Sequence, residues 1–326
     1  MTLLHKIKKG GVLAAMSLGL AAVSATAFAE YPERPIQLIV GYPPGGSADV
    51  VARPLSVLLG KKLGVPIVVE NRPGAGSSIG TQAVARANPD GYTVGLVLAA
   101  HAINPSLYKN LPYNTEKDFA PVGKIADLPM ALYVNSQFPA KTVGELIAYA
   151  KANPGKVTLA SSGNGNTTHL AIELFATSAG IDLLHVPYKG GGPAQTAALG
   201  GEVSGLFDGP HSLNMVQSGR VRVLGFASKD RLSLAPEVPT ISEAGLPGFQ
   251  VSGWYGLVAP AGTPQPVIDK LNSALNDVLK GADFPKTVEP LGYIVTPSTP
   301  AEFGTFVADE TARWKKVIQD ANIKLD

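Results

Sequence analysis

Residues Pro35–Leu59 read PIQLIVGYPPGGSADVVARPLSVLL, which predicts a short buried strand, a glycine-rich turn and a helix. Gly45 and Gly46 permit a sharp turn. Ser47 or Asp49 can cap the helix that follows. The N–H groups of a first helical turn have no partners within the helix, and the helix dipole adds about half a positive charge there. The stretch therefore predicts a binding site for a carboxylate or a phosphate.

The size and composition of the chain fit two globular domains. Its 326 residues are 45% hydrophobic, which is enough for roughly two domains of about 150 residues, each with its own core. The 36 glycines and 27 prolines recur between apolar runs, as expected for many short strands and helices joined by tight turns. We therefore predict α/β architecture.

The N-terminus has the pattern of a secretory signal peptide. Three lysines within the first nine residues precede the apolar stretch Gly11–Val23, and Ala27–Ala29 has the A-x-A pattern of a cleavage site. We expect residues 1–29 to be removed, with the mature chain starting near Glu30 and exported to the periplasm. A cut two residues earlier fits as well, and an uncleaved membrane anchor is the alternative.

Charge and cysteine content narrow the class of partner. Without the predicted signal peptide, 24 basic residues stand against 25 acidic ones. A near-neutral chain without a Lys/Arg cluster does not fit a nucleic-acid-binding protein. The chain has no cysteine, which excludes disulfides, thiolate metal sites and a cysteine nucleophile. We expect a monomer without a cofactor.

Strands and helices alternate after the opening stretch. Strands are predicted at 66–70 and 93–98, with a helix at 77–87 between them. Right-handed crossovers make such a sheet parallel, and ligands bind at the carboxyl ends of its strands. In this sheet those ends are Gly41–Asp49, Asn71–Ser78 and Ala99–His101.

The opening pattern returns in the second half of the chain. Residues 119–134 form an extended stretch without helical period, which we interpret as a crossing into a second domain. Strand 157–160, turn 161–166 and helix 167–179 then repeat the order of the first stretch. Residues 251–258 cross back, and the helix at 300–321 closes on the first domain. The expected division is residues 30–130 with 251–326 as lobe 1 and residues 131–250 as lobe 2, joined by two hinge strands.

Enzyme motifs are not supported. The glycine spacing matches neither the G-x-G-x-x-G nor the G-x-x-x-x-G-K-[ST] pattern. The histidines of the mature chain lie in unrelated local settings and lack the H-x-x-x-H spacing of a metal site: His101, His169, His185 and His211. We therefore expect no catalysis and no metal.

Several single residues keep two interpretations. His169 is either a hydrogen-bonded residue of the helix start or a ligand contact, and His185 is interpreted as a core residue. Asp208 ends a predicted strand before a glycine, so it fits a turn and a ligand contact equally. Lys189 faces solvent or an anion, and Trp254 is expected in the core near the hinge.

Several long motifs of the mature chain, and the order in which they occur, resemble those of a known protein family. They include GYPPGGSADVVAR at 41–53, NRPGAGSSIG at 71–80, SSGNGNTTHL at 161–170 and HVPYKGGGPAQTAALGGEV at 185–203. The chain resembles the periplasmic solute-binding proteins of the tripartite tricarboxylate transporter family, the Bug or TctC-like receptors. The resemblance implies an α/β type II periplasmic solute-binding fold that closes on a small carboxylate and delivers it to a membrane permease. A sensor with a membrane signalling partner is the alternative, and an exported hydrolase a weaker one.

The resemblance also implies a ligand held between two strand-to-helix turns, one in each lobe. Tyr42–Asp49 supplies the first turn and Ser161–Thr168 the second, with strand-end residues completing the site. The expected ligand-binding residues are Tyr42, Gly45, Gly46, Ser47, Ala48, Asp49, Ala100, His101, Ser161, Ser162, Gly163, Asn164, Thr167, Thr168, Tyr188 and Asp208.

Overall fold

The computed structural model describes residues 31–320 and residue 323. The predicted signal peptide and its cleavage site lie outside these residues. The described chain forms two α/β lobes, each built on one mixed sheet. The predicted fold class is confirmed.

Lobe 1 is built from the two ends of the described chain. Its six-stranded sheet has the order β11-β4-β10-β3-β1-β2. Its elements are β1 (Ile36–Val40), α1 (Ser47–Leu63), β2 (Ile67–Asn71), α2 (Ser78–Ala85), β3 (Thr93–Leu98), α3 (Ala100–Leu107), β4 (Phe119–Pro129), β10 (Ser252–Pro260), α8 (Gln265–Lys280), α9 (Asp283–Val288), β11 (Ile294–Val295) and α10 (Pro300–Asp320).

Lobe 2 is built from the middle of the chain. Its five-stranded sheet has the order β7-β6-β8-β5-β9. Its elements are β5 (Ala131–Asn135), α4 (Val143–Ala152), β6 (Thr158–Ser161), α5 (Thr167–Ala179), β7 (Leu184–Pro187), α6 (Gly191–Gly200), β8 (Gly205–Asp208), α7 (Leu213–Val216) and β9 (Val221–Phe226).

The same parallel arrangement lies at the centre of both sheets. β1 pairs in parallel with β2 and β3, and β6 pairs in parallel with β7 and β8. The strands that connect the lobes run antiparallel to these: β10 to β3, and β5 to β8. In each lobe, the carboxyl ends of the parallel strands therefore meet at one edge of the sheet.

The connections between the lobes meet at one point. β4 and β5 are separated by Met130 alone, so the chain passes from one sheet into the other as a continuous extended segment. Met130 donates a backbone hydrogen bond to Val251 and accepts one from Ala227, and Val251 donates to Ala227. Because three chain segments cross here, we propose that the lobe boundaries lie at 130/131 and 250/251 and that this point is the hinge.

α3 is a difference from the expected order. The sequence places Ala99–His101 at a strand end, whereas a helix starts at Ala100 and contains Pro105. Proline removes the N–H that would bond the carbonyl of His101 four residues earlier. Thr115 supplies the missing donor, since its Oγ1 lies 3.1 Å from that carbonyl oxygen.

The large aromatic residues near the hinge belong to the core of lobe 1. Trp254 is 1% exposed, and its ring packs edge-on against Phe303 and Phe306 of α10 at 5.8 and 5.4 Å. This is the expected burial of Trp254. Among the helices of residues 31–320, none is long and apolar enough to cross a membrane.

Candidate functional site

The candidate site lies where β1 and β6 end. The first loop, residues 41–46, joins β1 to α1 in lobe 1, and the second loop, residues 162–166, joins β6 to α5 in lobe 2. Each loop comes from the carboxyl end of a parallel strand and leads into a helix N-terminus. This is the arrangement expected from the repeated sequence pattern.

The first loop leaves the start of α1 open. Gly45 has a φ of +83°, a conformation that favours glycine. Gly46 is the N-cap residue and offers no side-chain hydrogen bond to the helix. Gly45, Gly46 and Ser47 are exposed, while Ala48 is buried beneath them. The amides of this turn are therefore accessible to an anion.

Asp49 holds the first loop rather than capping α1. Its Oδ2 accepts hydrogen bonds from Gly45 N–H at 2.9 Å and Arg53 Nε at 2.8 Å, and its Oδ1 accepts one from Asn71 Nδ2 at 2.9 Å. Burial acts to raise the pKa of Asp49, but these hydrogen bonds outweigh it and hold the pKa below its ordinary value. The expected cap by Ser47 or Asp49 is wrong, because Gly46 occupies that position.

The end of β2 and the loop that follows it pack against the first loop. Asn71 also donates to the Tyr42 carbonyl at 3.0 Å. Ala75 and Ser77 both have positive φ, at +46° and +73°, which costs free energy for residues with a Cβ. A Cβ on Gly41 would lie 2.8 Å from that of Ser77. The two loops thus pack together at the backbone level.

Ala100 and His101 lie deeper than the loops. Ala100 opens α3 and is 6% exposed, and His101 is 2% exposed with its ring between Tyr113 and Phe119. Burial lowers the pKa of His101 to about 3, so the ring is neutral. The structure places the His101 side chain in the interior of lobe 1.

The second loop carries its own cap. Asn166 is the N-cap of α5, and its Oδ1 accepts from the amides of Thr168 and His169, each at 3.1 Å. Its Nδ2 donates to Ser162 Oγ at 2.9 Å. Within residues 31–320, the side chains of Asn164 and Thr167 make no hydrogen bond, unlike those of Asn166 and Thr168. The two helix starts are therefore alike in topology and different in capping.

Ser161 lies beneath the second loop. It is fully buried, and its Oγ accepts from Gly163 N–H at 3.2 Å and lies 2.6 Å from His185 Nε2. His185 in turn stacks on His169, with ring centroids 4.0 Å apart. The expectation of unrelated settings for these histidines is wrong, because β7 and α5 bring them together. A serine beside a histidine is also how a nucleophile and its base are arranged, but this hydroxyl has no exposed surface.

The stacked histidines and Glu173 have the residue types of a metal site. One ligand atom from each lies within 4.8 Å of the others. The imidazole planes are only 16° from parallel, and a metal must lie in the plane of each ring that binds it. Two stacked parallel planes share no such point, so this arrangement does not fit a metal.

Tyr188 and Asp208 lie at the same edge as the second loop. Tyr188 donates its amide to the Ser161 carbonyl. Asp208 is the last residue of β8 and is 8% exposed. Its carboxylate accepts from Gln195 Nε2, Ser212 Oγ and the amide of Gly209, each at 2.8 Å. Lys189 is exposed.

Two tyrosines of lobe 1 lie beside the start of α1. Tyr293 donates its hydroxyl to the Ser47 carbonyl at 3.1 Å, and its ring lies 5.5 Å from that of Tyr255. Burial raises the pKa of Tyr293 to about 12, and the charge of Asp208 acts in the same direction. Asp208 of lobe 2 therefore lies near enough to Tyr293 of lobe 1 for its charge to act on the hydroxyl.

Sequence reasoning missed four residues of this arrangement. Asn166 could have been found, since asparagine before a helix is a cap signal. Asn71 is the last residue of β2, and this strand end is one at which the sequence predicts ligand contacts. His185 was assigned to the core, and Tyr293 lies 246 residues from its partner Ser47, so no local pattern indicates it.

A family model and solved relatives match most of the chain. The model for the tripartite tricarboxylate transporter family receptor covers residues 51–323. BugT of Bordetella pertussis is 39% identical over 312 residues, which are 94% of this chain and 96% of BugT. The structure of the periplasmic binding protein BugD is 37% identical, with a TM-score of 0.80 over 90% of this chain and 99% of BugD.

Two similar structures contain a dicarboxylate. MatC from Rhodopseudomonas palustris with bound malate is 34% identical, with a TM-score of 0.78 over 88% of this chain and 100% of MatC. Rpa4515 from R. palustris with adipate is 32% identical, with a TM-score of 0.83 over 90% of this chain and 99% of that protein. With two lobes, two strand-to-helix loops and these matches, the chain belongs to the tripartite tricarboxylate transporter receptor family.

Proposed function

We propose that this protein is an exported periplasmic receptor that captures a small carboxylate between its lobes. The observation that carries the proposal is the open N-terminus of α1 in lobe 1, together with the matching strand-to-helix loop between β6 and α5 in lobe 2. Free amides and the helix dipole attract an anion without a positive side chain. Malate in MatC and adipate in Rpa4515 support a dicarboxylate as the ligand class.

The proposed contacts come from both lobes. The exposed turn offers the amides of Gly46 and Ser47 and the Ser47 hydroxyl, and Tyr42 flanks it. In lobe 2, Asn164 and Thr167 offer side chains that no residue of the described chain occupies. Ser161 acts from below by shaping the loop. Asp208 borders the cleft, so the part of the ligand beside it is uncharged or carries a hydrogen-bond donor.

A thermal-shift panel of malate, adipate, other carboxylates and neutral sugars tests this proposal. At 100 times its Kd, a ligand adds about 2.7 kcal/mol to the free energy of unfolding, which raises the Tm. Gly46→Val is the matched variant: a Cβ there meets only the Pro43 carbonyl oxygen at 3.7 Å, so it folds while its side chain blocks the amides. A shift by neutral sugars only, or an equal shift in Gly46→Val, contradicts the proposal.

We further propose that the receptor delivers its ligand to a tripartite permease and has no catalytic turnover. The family supports the permease, and the buried Ser161 hydroxyl argues against ester hydrolysis. Ligand transport by membranes that contain the cognate permease should require this protein. Binding to a membrane signalling protein instead of the permease would indicate a sensor. Hydrolysis of p-nitrophenyl esters that is lost in Ser161→Ala would contradict the second part.

A further inference from the structure

Two stacked imidazole rings hold the second loop from below. His169 lies in the first turn of α5 and His185 on β7, with their planes 16° from parallel. Nδ1 of His169 accepts a hydrogen bond from Gly165 N–H at 3.0 Å. Nε2 of His185 lies 2.6 Å from Ser161 Oγ, and that oxygen accepts from Gly163 N–H. The pair therefore holds both glycines of the loop.

These hydrogen bonds define the protonation state of His169. Its Nδ1 must be unprotonated to accept from Gly165 N–H, so the proton of the neutral ring is on Nε2. There, the Glu173 carboxylate lies 3.5 Å away. A proton on Nδ1 would place two N–H donors against each other, and the loop would have to move. The loop conformation of this structure thus requires a neutral ring.

We propose that His169 and His185 are positioning residues for the ligand: as a neutral stacked pair they hold the second loop in its binding conformation, and acidification, which protonates His185, releases it. This inference rests on the proposed function and adds a pH dependence to the same site. Neither ring has to touch the ligand.

The surroundings of the pair determine the direction of the effect. Burial lowers the pKa of His185 to about 4. A proton on the stacked His169 ring would act in the same direction, and the charge of Glu173 opposes both. β6 presents the uncharged Ser161 hydroxyl to His185, and the second loop presents the Gly165 amide to His169.

The sign follows from proton linkage. In a released loop the hydrated His185 ring takes up a proton near its ordinary pKa of 6.5, whereas in the present structure its pKa is about 4. The ordered loop is therefore favoured at neutral pH and loses stability as the pH falls from about 6.5 toward 4. A cationic ring that merely attracted an anion would have the opposite effect, since the affinity would then rise on acidification.

Titration calorimetry with adipate and malate between pH 7.5 and 4.5 tests the proposal. The control is the double variant His169→Asn/His185→Gln, in which amide groups can take the places of Nδ1 and Nε2 without titrating. Ligand protonation affects both proteins equally. We expect the wild type to lose about ten-fold or more affinity beyond the loss of the double variant, which corresponds to one pKa unit of differential protonation. At pH 7.5, His169→Leu/His185→Leu should bind more weakly than the Asn/Gln variant.

Imidazole and amide ¹⁵N spectra give a readout that needs no ligand. His169 should show the Nε2–H tautomer at pH 7.5, and the Gly165 amide resonance should shift with the same midpoint as the pair. Parallel pH profiles of the wild type and the Asn/Gln variant, or affinity that rises on acidification, would overturn the inference. If no carboxylate binds the wild type at pH 7.5, the proposed function fails instead, and the spectra still decide whether the pair controls the loop.

Discussion

At the residue scale, Asp49 shows how a charged side chain can serve an anion site without binding the anion. Its carboxylate is 5% exposed and bonded to Gly45, Arg53 and Asn71. It therefore fixes the glycine turn while its charge is balanced within the loop. The Asp49 side chain reaches back to the Gly45 amide and leaves the helix start uncapped, so the amides of Gly46 and Ser47 have no side-chain acceptor within residues 31–320.

Replacing Asp49 with alanine should destabilise the protein and weaken ligand binding together. The change leaves the Gly45 amide and the Asn71 side chain without their acceptor, which costs about 1–3 kcal/mol of the free energy of unfolding. Urea unfolding measures this cost. Asp269→Ala, at an exposed carboxylate on α8, should change the free energy by less than about 0.5 kcal/mol. Equal effects of the two changes would contradict the role of Asp49.

The contribution of Asp49 should also depend on pH. Its pKa in the folded protein lies below the ordinary value of 3.8, so the carboxylate stabilises the fold above that value. The contribution is lost as the pH falls through the lower, folded-state pKa. The difference in unfolding free energy between the wild type and Asp49→Asn should therefore shrink in strong acid.

At the element scale, the parallel strands and the two loops could be predicted because their signals are local. Apolar runs of four to six residues and glycine-rich turns mark β1, β3 and β6. α3 could not be predicted, since Pro105 opposes a helix locally and Thr115, ten residues away, compensates. The sequence does distinguish the two caps, since Gly46 has no side chain and Asn166 has one that can accept from the helix amides. The shared order of strand, turn and helix nevertheless makes the two helix starts look equivalent.

The histidine stack could not be predicted from the sequence, for a related reason. His169 and His185 are 16 residues apart, and only the parallel pairing of β6 with β7 brings them beside Ser161. Register between strands is set by the whole sheet rather than by local spacing. The contacts around the second loop are therefore tertiary, whereas its position in the chain is encoded locally.

At the scale of the whole molecule, the lobes touch beside the cleft. Gly292 of lobe 1 has a φ of +86°, and a Cβ there would overlap Pro210 of lobe 2 and approach Leu234 to 3.3 Å. A side chain at this position is thus incompatible with the present distance between the lobes. The present contact between the lobes depends on a glycine outside the proposed ligand-binding loops.

Gly292→Ala should weaken ligand binding through closure. Gly219→Ala is the matched control, because Gly219 also has positive φ, at +70°, but a Cβ there meets nothing within 4 Å. Both changes strain the backbone by about 1 kcal/mol, so their Tm values should be similar. Only Gly292→Ala should raise the Kd for adipate, by about ten-fold, as measured by calorimetry. An equal Kd for the two variants would contradict a role of this contact in closure.

Amide NMR during a titration with malate or adipate tests the two-lobe capture most directly. One bound carboxylate held by both lobes should shift the amides of Ser47 and Ala48 in lobe 1 and those of Asn164 and Thr167 in lobe 2. All four should follow a single binding curve with one ligand per protein. Shifts confined to one lobe, or separate curves for the two loops, would contradict capture between the lobes.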